Sequence, residues 1–209
     1  MLETAIVAFT TFFATIGPVS VAMIFAAMTH GSSPAAKRAM ALRGTLIAAF
    51  ILSSFALAGE SLLAALGISL AALKVAAGIL LLLIAIDMVF ARESGGNSTT
   101  EEENIEAQQK EDISVFPLAT PLIAGPGSMG AAILLMANTE SNLTAKFTVI
   151  GALLAVLAST LVLLLLANKV QRLLGVTGMQ VISRVFGVLL SALAVQFMFN
   201  GLAASGLLG

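Results

Sequence analysis

Two segments of the chain combine glycine, proline and serine at the same spacing. Gly17-Pro18 is followed by Ser20, and Gly125-Pro126 is followed by Ser128. A proline inside an apolar helix removes one backbone N–H and clashes with the preceding turn, so each segment predicts a helix break. The half-helix after such a break begins with free N–H groups, which favour an anion such as a carboxylate. The two serine hydroxyls would add donors to that first turn.

These breaks and the polar residues beside them form the predicted substrate site. Its residues are Thr15, Gly17, Pro18, Ser20, Thr120, Gly125, Pro126, Gly127 and Ser128. Two alternatives stay open. Each Gly-Pro pair could be a simple kink that touches no ligand, and the two threonines could bond only to carbonyls of their own helices.

The elements that must position these segments are membrane-spanning helices. The chain has 209 residues, of which 59% are hydrophobic and 10% charged, and seven of its 11 acidic residues fall between Glu93 and Asp112. The remaining charge is too sparse to coat a water-exposed surface. A soluble fold is therefore excluded, and nucleic-acid binding is excluded because no basic patch could neutralise phosphates. The composition predicts an all-α, polytopic membrane protein.

Polar residues divide the chain into six apolar stretches, each long enough to span a bilayer as a helix. The stretches cover about 5–28, 44–65, 68–90, 115–137, 147–168 and 178–205, and 92–113 is the long hydrophilic loop.

The chain also contains an internal repeat. A shift of 108 residues superimposes the two Gly-Pro segments, and one further inserted residue places Gly78 on Gly187. Each copy has three spans, so two tandem copies must cross the membrane in opposite senses. The predicted architecture is two inverted three-helix repeats, 1–91 and 114–209, joined by an acidic linker, 92–113.

Lysine and arginine predict the orientation. Eight of the ten lie on the side of the loops that follow helices 1, 3 and 5, whereas Lys74 and Lys146 lie on the other side. The positive-inside rule therefore places the 92–113 loop in the cytoplasm and both termini outside.

The segment from Phe116 to Ser128 closely resembles the signature of the MarC/SnatA family of bacterial inner-membrane proteins. Ile182–Gly187 with Val195–Gly201 resembles its final helix, so the resemblance covers essentially the whole chain. It implies six transmembrane helices and, for the SnatA branch, transport of small neutral amino acids such as glycine and alanine. The family often has Asn or Asp at the position of Gly17.

The resulting prediction is a secondary transporter, acting as an exporter, whose partners are small neutral amino acids and the lipid bilayer. A channel and a non-transporting protein with a regulatory or assembly role remain as alternatives. An enzyme is not expected, because an intramembrane protease needs Ser with His at depth or two facing carboxylates. No cofactor is predicted, and one histidine without cysteine predicts no metal site. Asp87 is either a proton-coupling residue or the partner of Arg92 in an interfacial salt bridge.

Overall fold

The computed structural model describes residues 2–90, 112–139 and 142–206, and within these ranges the regular structure is helical. We call Ser114–Ile123 the proline-rich segment, because it winds irregularly around Pro117 and Pro121. The regular helices are α1 (Leu2–Ile16), α2 (Pro18–Met28), α3 (Pro34–Ala65), α4 (Leu70–Phe90), α5 (Pro126–Ala137), α6 (Leu143–Leu165) and α7 (Ala167–Ala204).

Five stretches of the described residues are long and apolar enough to cross a membrane: Leu2–Met28, Pro34–Ala65, Leu70–Phe90, Leu143–Leu165 and Gln180–Ala204. The proline-rich segment and α5, which are bent by 56°, make a sixth if they count as one span. Large apolar side chains also point away from the protein, as at Phe50, which is 75% exposed, and Phe147, also 75% exposed. The prediction of an all-α, multi-pass membrane protein is therefore confirmed.

Two helices begin earlier than hydropathy predicts. We expected the second span to start near residue 44, but α3 starts at Pro34. Ser33 is its N-cap and accepts a hydrogen bond from the Ala36 amide at 3.2 Å, and proline is well suited to the first helical position. Likewise, α7 starts at Ala167 rather than near residue 178. Hydropathy marks where a helix enters lipid, and these helices extend beyond that depth.

The core lies where these helices face one another. The helices α1 and α2 pack on α6, while α3 packs on the proline-rich segment and α5. Small alanines such as Ala8 and Ala48 alternate with fully buried larger side chains such as Phe12, Leu52 and Leu153. Without a hydrophobic driving force between helices in lipid, such close packing is what holds the helices together.

The helices α4 and α7 are in extensive contact, and glycines allow their close approach. A methyl group on Gly78 would lie 2.7 Å from the carbonyl oxygen of Ala194, and one on Gly187 would lie 3.1 Å from that of Ala85. Residue numbers in these contacts increase along α4 while they decrease along α7, so the two helices run antiparallel. Small residues at such contacts are the usual means by which membrane helices approach closely.

The predicted linker, 92–113, lies outside the described residues except for its end. There, the Asp112 carboxylate accepts a hydrogen bond from Arg43 Nη1 at 3.1 Å and one from the Ser114 amide at 2.9 Å. The hydrogen bonds from Ser114, together with Arg43, hold the pKa of Asp112 below its ordinary value. This contact ties the start of the proline-rich segment to α3.

Candidate functional site

The first Gly-Pro pair separates α1 from α2. Gly17 adopts a left-handed conformation, with φ 60° and ψ 55°, and α2 starts at Pro18. The bonds that flank the junction join Gly17 N to Phe13 O and Val21 N to Gly17 O, both at 3.0 Å. The amides of Val19 and Ser20 lie in the first turn of α2, where a helix offers no backbone acceptor.

The second Gly-Pro pair lies at the 56° bend between the proline-rich segment and α5. Gly125 is extended, with φ −84° and ψ 170°, and α5 starts at Pro126. The Met129 amide donates to the Gly125 carbonyl at 3.0 Å, which leaves the amides of Gly127 and Ser128 in the first turn. Both segments therefore present two amides at a helix start.

The proline-rich segment departs from the helix expected between residue 115 and the predicted break at Gly125-Pro126. Phe116 and Thr120 are extended, with ψ near 126° and 127°, and both precede a proline across a cis peptide bond. A residue before proline is disfavoured in the α region, so the two prolines at 117 and 121 prevent a regular helix. The sequence contained this signal, and hydropathy alone missed it.

The hydroxyl of Ser128 is engaged within its own segment. It is fully buried and lies 2.9 Å from the Ile123 carbonyl oxygen and 3.0 Å from that of Gly125, so its one proton serves acceptors at the bend. Thr15 behaves similarly, because its hydroxyl donates to the Thr11 carbonyl at 2.8 Å. In this conformation, these two predicted site residues donate to the backbone, which is the alternative left open above for Thr15.

A small pocket adjoins the first break. It is lined by Gly17, Pro18, Val19 and Ser20 together with Phe13, Met88, Ile182 and Phe186. The rings of Phe13 and Phe186 close one side, with centroids 4.8 Å apart. The pocket has a volume of about 20 Å³, which is room for one water molecule. An amino acid has more atoms than this space holds, so the pocket is closed to such a molecule in this conformation.

The second break packs on α4, a helix that also reaches the pocket at the first break. A methyl group on Gly127 would meet the Cδ1 atom of Ile84, and Leu81 lies next to it. Met88, which lines the pocket at Gly17, is one turn beyond Ile84 on α4, or about 6 Å along the axis. Ile84 and Met88 on α4 therefore each lie beside one break, and the interrupted helices also contact each other, α1 with α5 and α2 with the proline-rich segment. Sequence reasoning did not find Ile84, Met88 or Phe186, because these are apolar side chains with no chemical signature.

The remaining predicted site residues differ in how deeply they are buried. Gly125 and Gly127 are buried, Thr120 is half-buried, and Pro126 is exposed. Asp87 is half-buried on α4 beside Met88, and its predicted partner Arg92 lies outside the described residues. Among the residues that the structure describes, no three His, Cys, Asp or Glu side chains form a group that could hold a metal ion.

Comparison with known proteins decides the family. The model of the MarC family, described as integral membrane proteins, matches residues 2–205. The chain belongs to the MarC family. The resemblance seen in its sequence is thus confirmed, and with the apolar helices it makes the chain a multi-pass membrane protein.

Its MarC relatives come from archaea and bacteria. A UPF0056 membrane protein of Methanocaldococcus jannaschii is 40% identical over 96% of this chain and 97% of its own length. The UPF0056 membrane protein YvbG of Bacillus subtilis is 34% identical over 93% of this chain and 92% of its own. The UPF0056 inner membrane protein YhgN of Escherichia coli is 32% identical over 86% of each chain. No solved structure matches this chain.

Proposed function

We propose that this MarC family protein is a secondary transporter that exports small neutral amino acids such as glycine and alanine, and that it has no enzyme activity. The observation that carries the proposal is that the two interrupted helices contact each other, α1 with α5 and α2 with the proline-rich segment, and that α4 reaches both breaks. Interrupted helices near the middle of a transporter are the usual place for a substrate, because their ends offer unpaired backbone groups.

The packing of α4 and α7 supports the inverted repeat on which such a transporter depends. An offset of 109 residues carries Gly78 onto Gly187 and also carries Ala85 onto Ala194. The contact of Gly78 with Ala194 therefore has its counterpart in the contact of Gly187 with Ala85. Reciprocal contacts of this kind are what a pseudo-two-fold axis between two repeats produces.

The packing of the other helices agrees with the same axis. The repeat relates α1 and α2 to the proline-rich segment and α5, and it relates α3 to α6. The contact of α1 and α2 with α6 is thus the counterpart of the contact of the proline-rich segment and α5 with α3. Two inverted halves of similar structure could exchange conformations and so open to each side of the membrane in turn.

The chemistry of the breaks suits a small zwitterion. The amides of Gly127 and Ser128 would receive its carboxylate, and carbonyls near Ile16 or Ala124 would receive its ammonium group. The pocket at Gly17 is lined by apolar side chains and one serine, without a charged group. A ligand that carries both charges needs no buried counter-charge from a side chain, and apolar walls would limit its size.

We place the protein in the plasma membrane, as the name of the Escherichia coli relative indicates for that protein. The eight-to-two division of lysine and arginine favours a cytoplasmic 92–113 loop with both termini outside.

The test is uptake of radiolabelled glycine, alanine and threonine into proteoliposomes, with and without a pH gradient. We expect saturable uptake of glycine and alanine, with counterflow when the vesicles are preloaded with unlabelled glycine. Gly127→Val should abolish it while the variant still inserts into the membrane, although with lower stability than the wild type. Uptake equal to that of empty vesicles would contradict transport, and non-saturable uptake without counterflow would identify a channel.

A further inference from the structure

A larger cavity lies far from the Gly-Pro segments, where the end of α2 and the start of α3 meet the end of α6. Its volume is about 320 Å³, sixteen times that of the pocket at Gly17. Buried Phe25 and Leu164 form an apolar wall, and Leu165, which is 47% exposed, extends it toward the lipid-facing surface. The cavity therefore combines an apolar wall with polar side chains and reaches the protein surface at Leu165, which suits an amphipathic ligand.

The polar wall of this cavity is basic. Lys37 and Arg38 line it from the first turns of α3, with Ser32 in the preceding loop. No acidic side chain lies in the first turn of α3, and within the described residues neither cation has a carboxylate within 4 Å. Cations at a helix start face the positive end of the helix dipole, which is an unfavourable arrangement without an anion.

The next basic residue along α3 already has a carboxylate partner. Arg43, on the next turns of α3, pairs with Asp112 at 3.1 Å and does not line the cavity. The hydroxyl of Thr29 donates to the Phe25 carbonyl at 2.7 Å, so this hydrogen bond at the end of α2 involves neither Lys37 nor Arg38. Among the residues that the structure describes, Lys37 and Arg38 thus bring two cations without a carboxylate partner to the lining of the cavity.

We propose that this cavity binds the phosphate head group of an anionic phospholipid. Lys37 and Arg38 would hold the phosphate with the Ser32 hydroxyl beside it, and the glycerol and first acyl carbons would lie on Phe25 and Leu164. Basic pockets between membrane helices at the interface bind anionic head groups in this way. The lysine and arginine distribution places the cavity on the side predicted to be cytoplasmic, where anionic lipid attracts basic residues.

The experiment measures how lipid shifts the melting temperature of the full-length protein in an uncharged detergent. The probes are short-chain phosphatidylglycerol, phosphatidylcholine of the same chain length, and inorganic phosphate. We expect phosphatidylglycerol to stabilise the wild type at the lowest concentration. For Lys37→Gln/Arg38→Gln the apparent affinity should fall about 25-fold, since each interfacial cation is worth about fivefold.

The control variant Lys146→Gln/Arg184→Gln removes the same net charge from residues that do not line the cavity. It should bind phosphatidylglycerol within about twofold of the wild type. The shift in the wild type should also shrink between 50 and 500 mM salt, and this measurement does not depend on any variant folding.

Two outcomes would overturn the proposal. Equal phosphatidylglycerol affinity in the wild type and Lys37→Gln/Arg38→Gln would exclude the cavity as the site. A shift with inorganic phosphate as large as that with phosphatidylglycerol would identify a soluble anion as the ligand. Neither result bears on amino-acid transport, which depends on the Gly-Pro segments.

Discussion

The hydroxyl of Ser128 reaches back across the bend between the proline-rich segment and α5 and lies 2.9 Å from the carbonyl oxygen of Ile123. Both residues are fully buried. A helix broken by proline leaves carbonyls without amide partners. The Ile123 carbonyl instead accepts a hydrogen bond from a side chain of the next helix. The serine that follows the Gly-Pro pair therefore stabilises the bend as well as standing beside the proposed site.

Ser128→Ala should lower the free energy of unfolding by about 1 to 2 kcal/mol, because the buried Ile123 carbonyl loses its hydroxyl donor, whereas the Gly125 carbonyl keeps the Met129 amide. Reversible unfolding in mixed micelles measures it. Ser54→Ala is the matched control: Ser54 is exposed and donates to the Phe50 carbonyl within a regular helix, so its loss should change stability by less than about 0.5 kcal/mol. Equal effects of the two variants would show that the bend does not depend on Ser128.

Gly127→Ala should destabilise the protein by about 1 to 3 kcal/mol, because its methyl group would overlap the Cδ1 atom of Ile84. Ile84→Val removes that atom and alone should cost about 0.5 to 1.5 kcal/mol. The double variant should be destabilised by at least about 0.5 kcal/mol less than the sum of the two single-variant destabilisations. Strict additivity in this cycle, measured by unfolding, would mean that α4 does not pack on the second break as described.

Gly17 has a left-handed conformation with open space beside it, since a methyl group there would come no closer than 3.8 Å to another atom. Gly17→Ala should therefore cost about 1 to 2 kcal/mol through backbone conformation alone. Gly17→Asn should cost less, because asparagine tolerates this conformation better than alanine. The ranking, read from unfolding curves of the two variants, would reverse if side-chain crowding decided the outcome.

The stability contributed by Asp112 should depend on pH. Its pKa is lowered in the folded protein by the Ser114 hydrogen bonds and by Arg43. The contribution is therefore fully present above the unfolded-state value of 3.8 and is lost as the pH falls through the lower folded-state value. The difference in melting temperature between the wild type and Asp112→Asn should be constant from pH 7 to 5 and shrink below about pH 4. A difference that grows on acidification would contradict this assignment.

The orientation can be tested with single cysteines in this cysteine-free chain. Gly31→Cys lies in the loop between α2 and α3, and Leu66→Cys follows α3; both positions are exposed. In intact cells an impermeant thiol reagent should label Leu66→Cys and leave Gly31→Cys unlabelled until the cells are permeabilised. The opposite pattern would invert the proposed topology.

The sequence predicts the helices of this fold better than their ends. Hydropathy finds the spans because lipid admits few other structures, but it does not register the Ser33 cap or the helical turns of α3 before residue 44. The extended residues Phe116 and Thr120 follow from the rule for residues before proline, which requires only the order of residues.

The sequence predicts the helix breaks at the site, but it does not predict the side chains that surround them. Gly17-Pro18 and Gly125-Pro126 have a chemical reason to interrupt a helix, so their positions can be read from the chain. Ile84, Met88 and Phe186 are chemically ordinary, and which of them faces a break is decided by how α4 and α7 rotate against each other. That rotation depends on packing summed over whole helices.

The narrow space between Gly17 and Phe186 has a bioenergetic consequence. Protons cross a membrane rapidly along a continuous file of hydrogen-bonded water, and a void of about 20 Å³ holds one molecule of such a file. In this conformation, the pocket at Gly17 has room for about one water molecule and not for a continuous file of them. Each charge that leaks across a membrane dissipates about 2.3 kcal/mol per 100 mV. A cell could keep this protein in a membrane that carries a proton gradient without losing protons through this pocket.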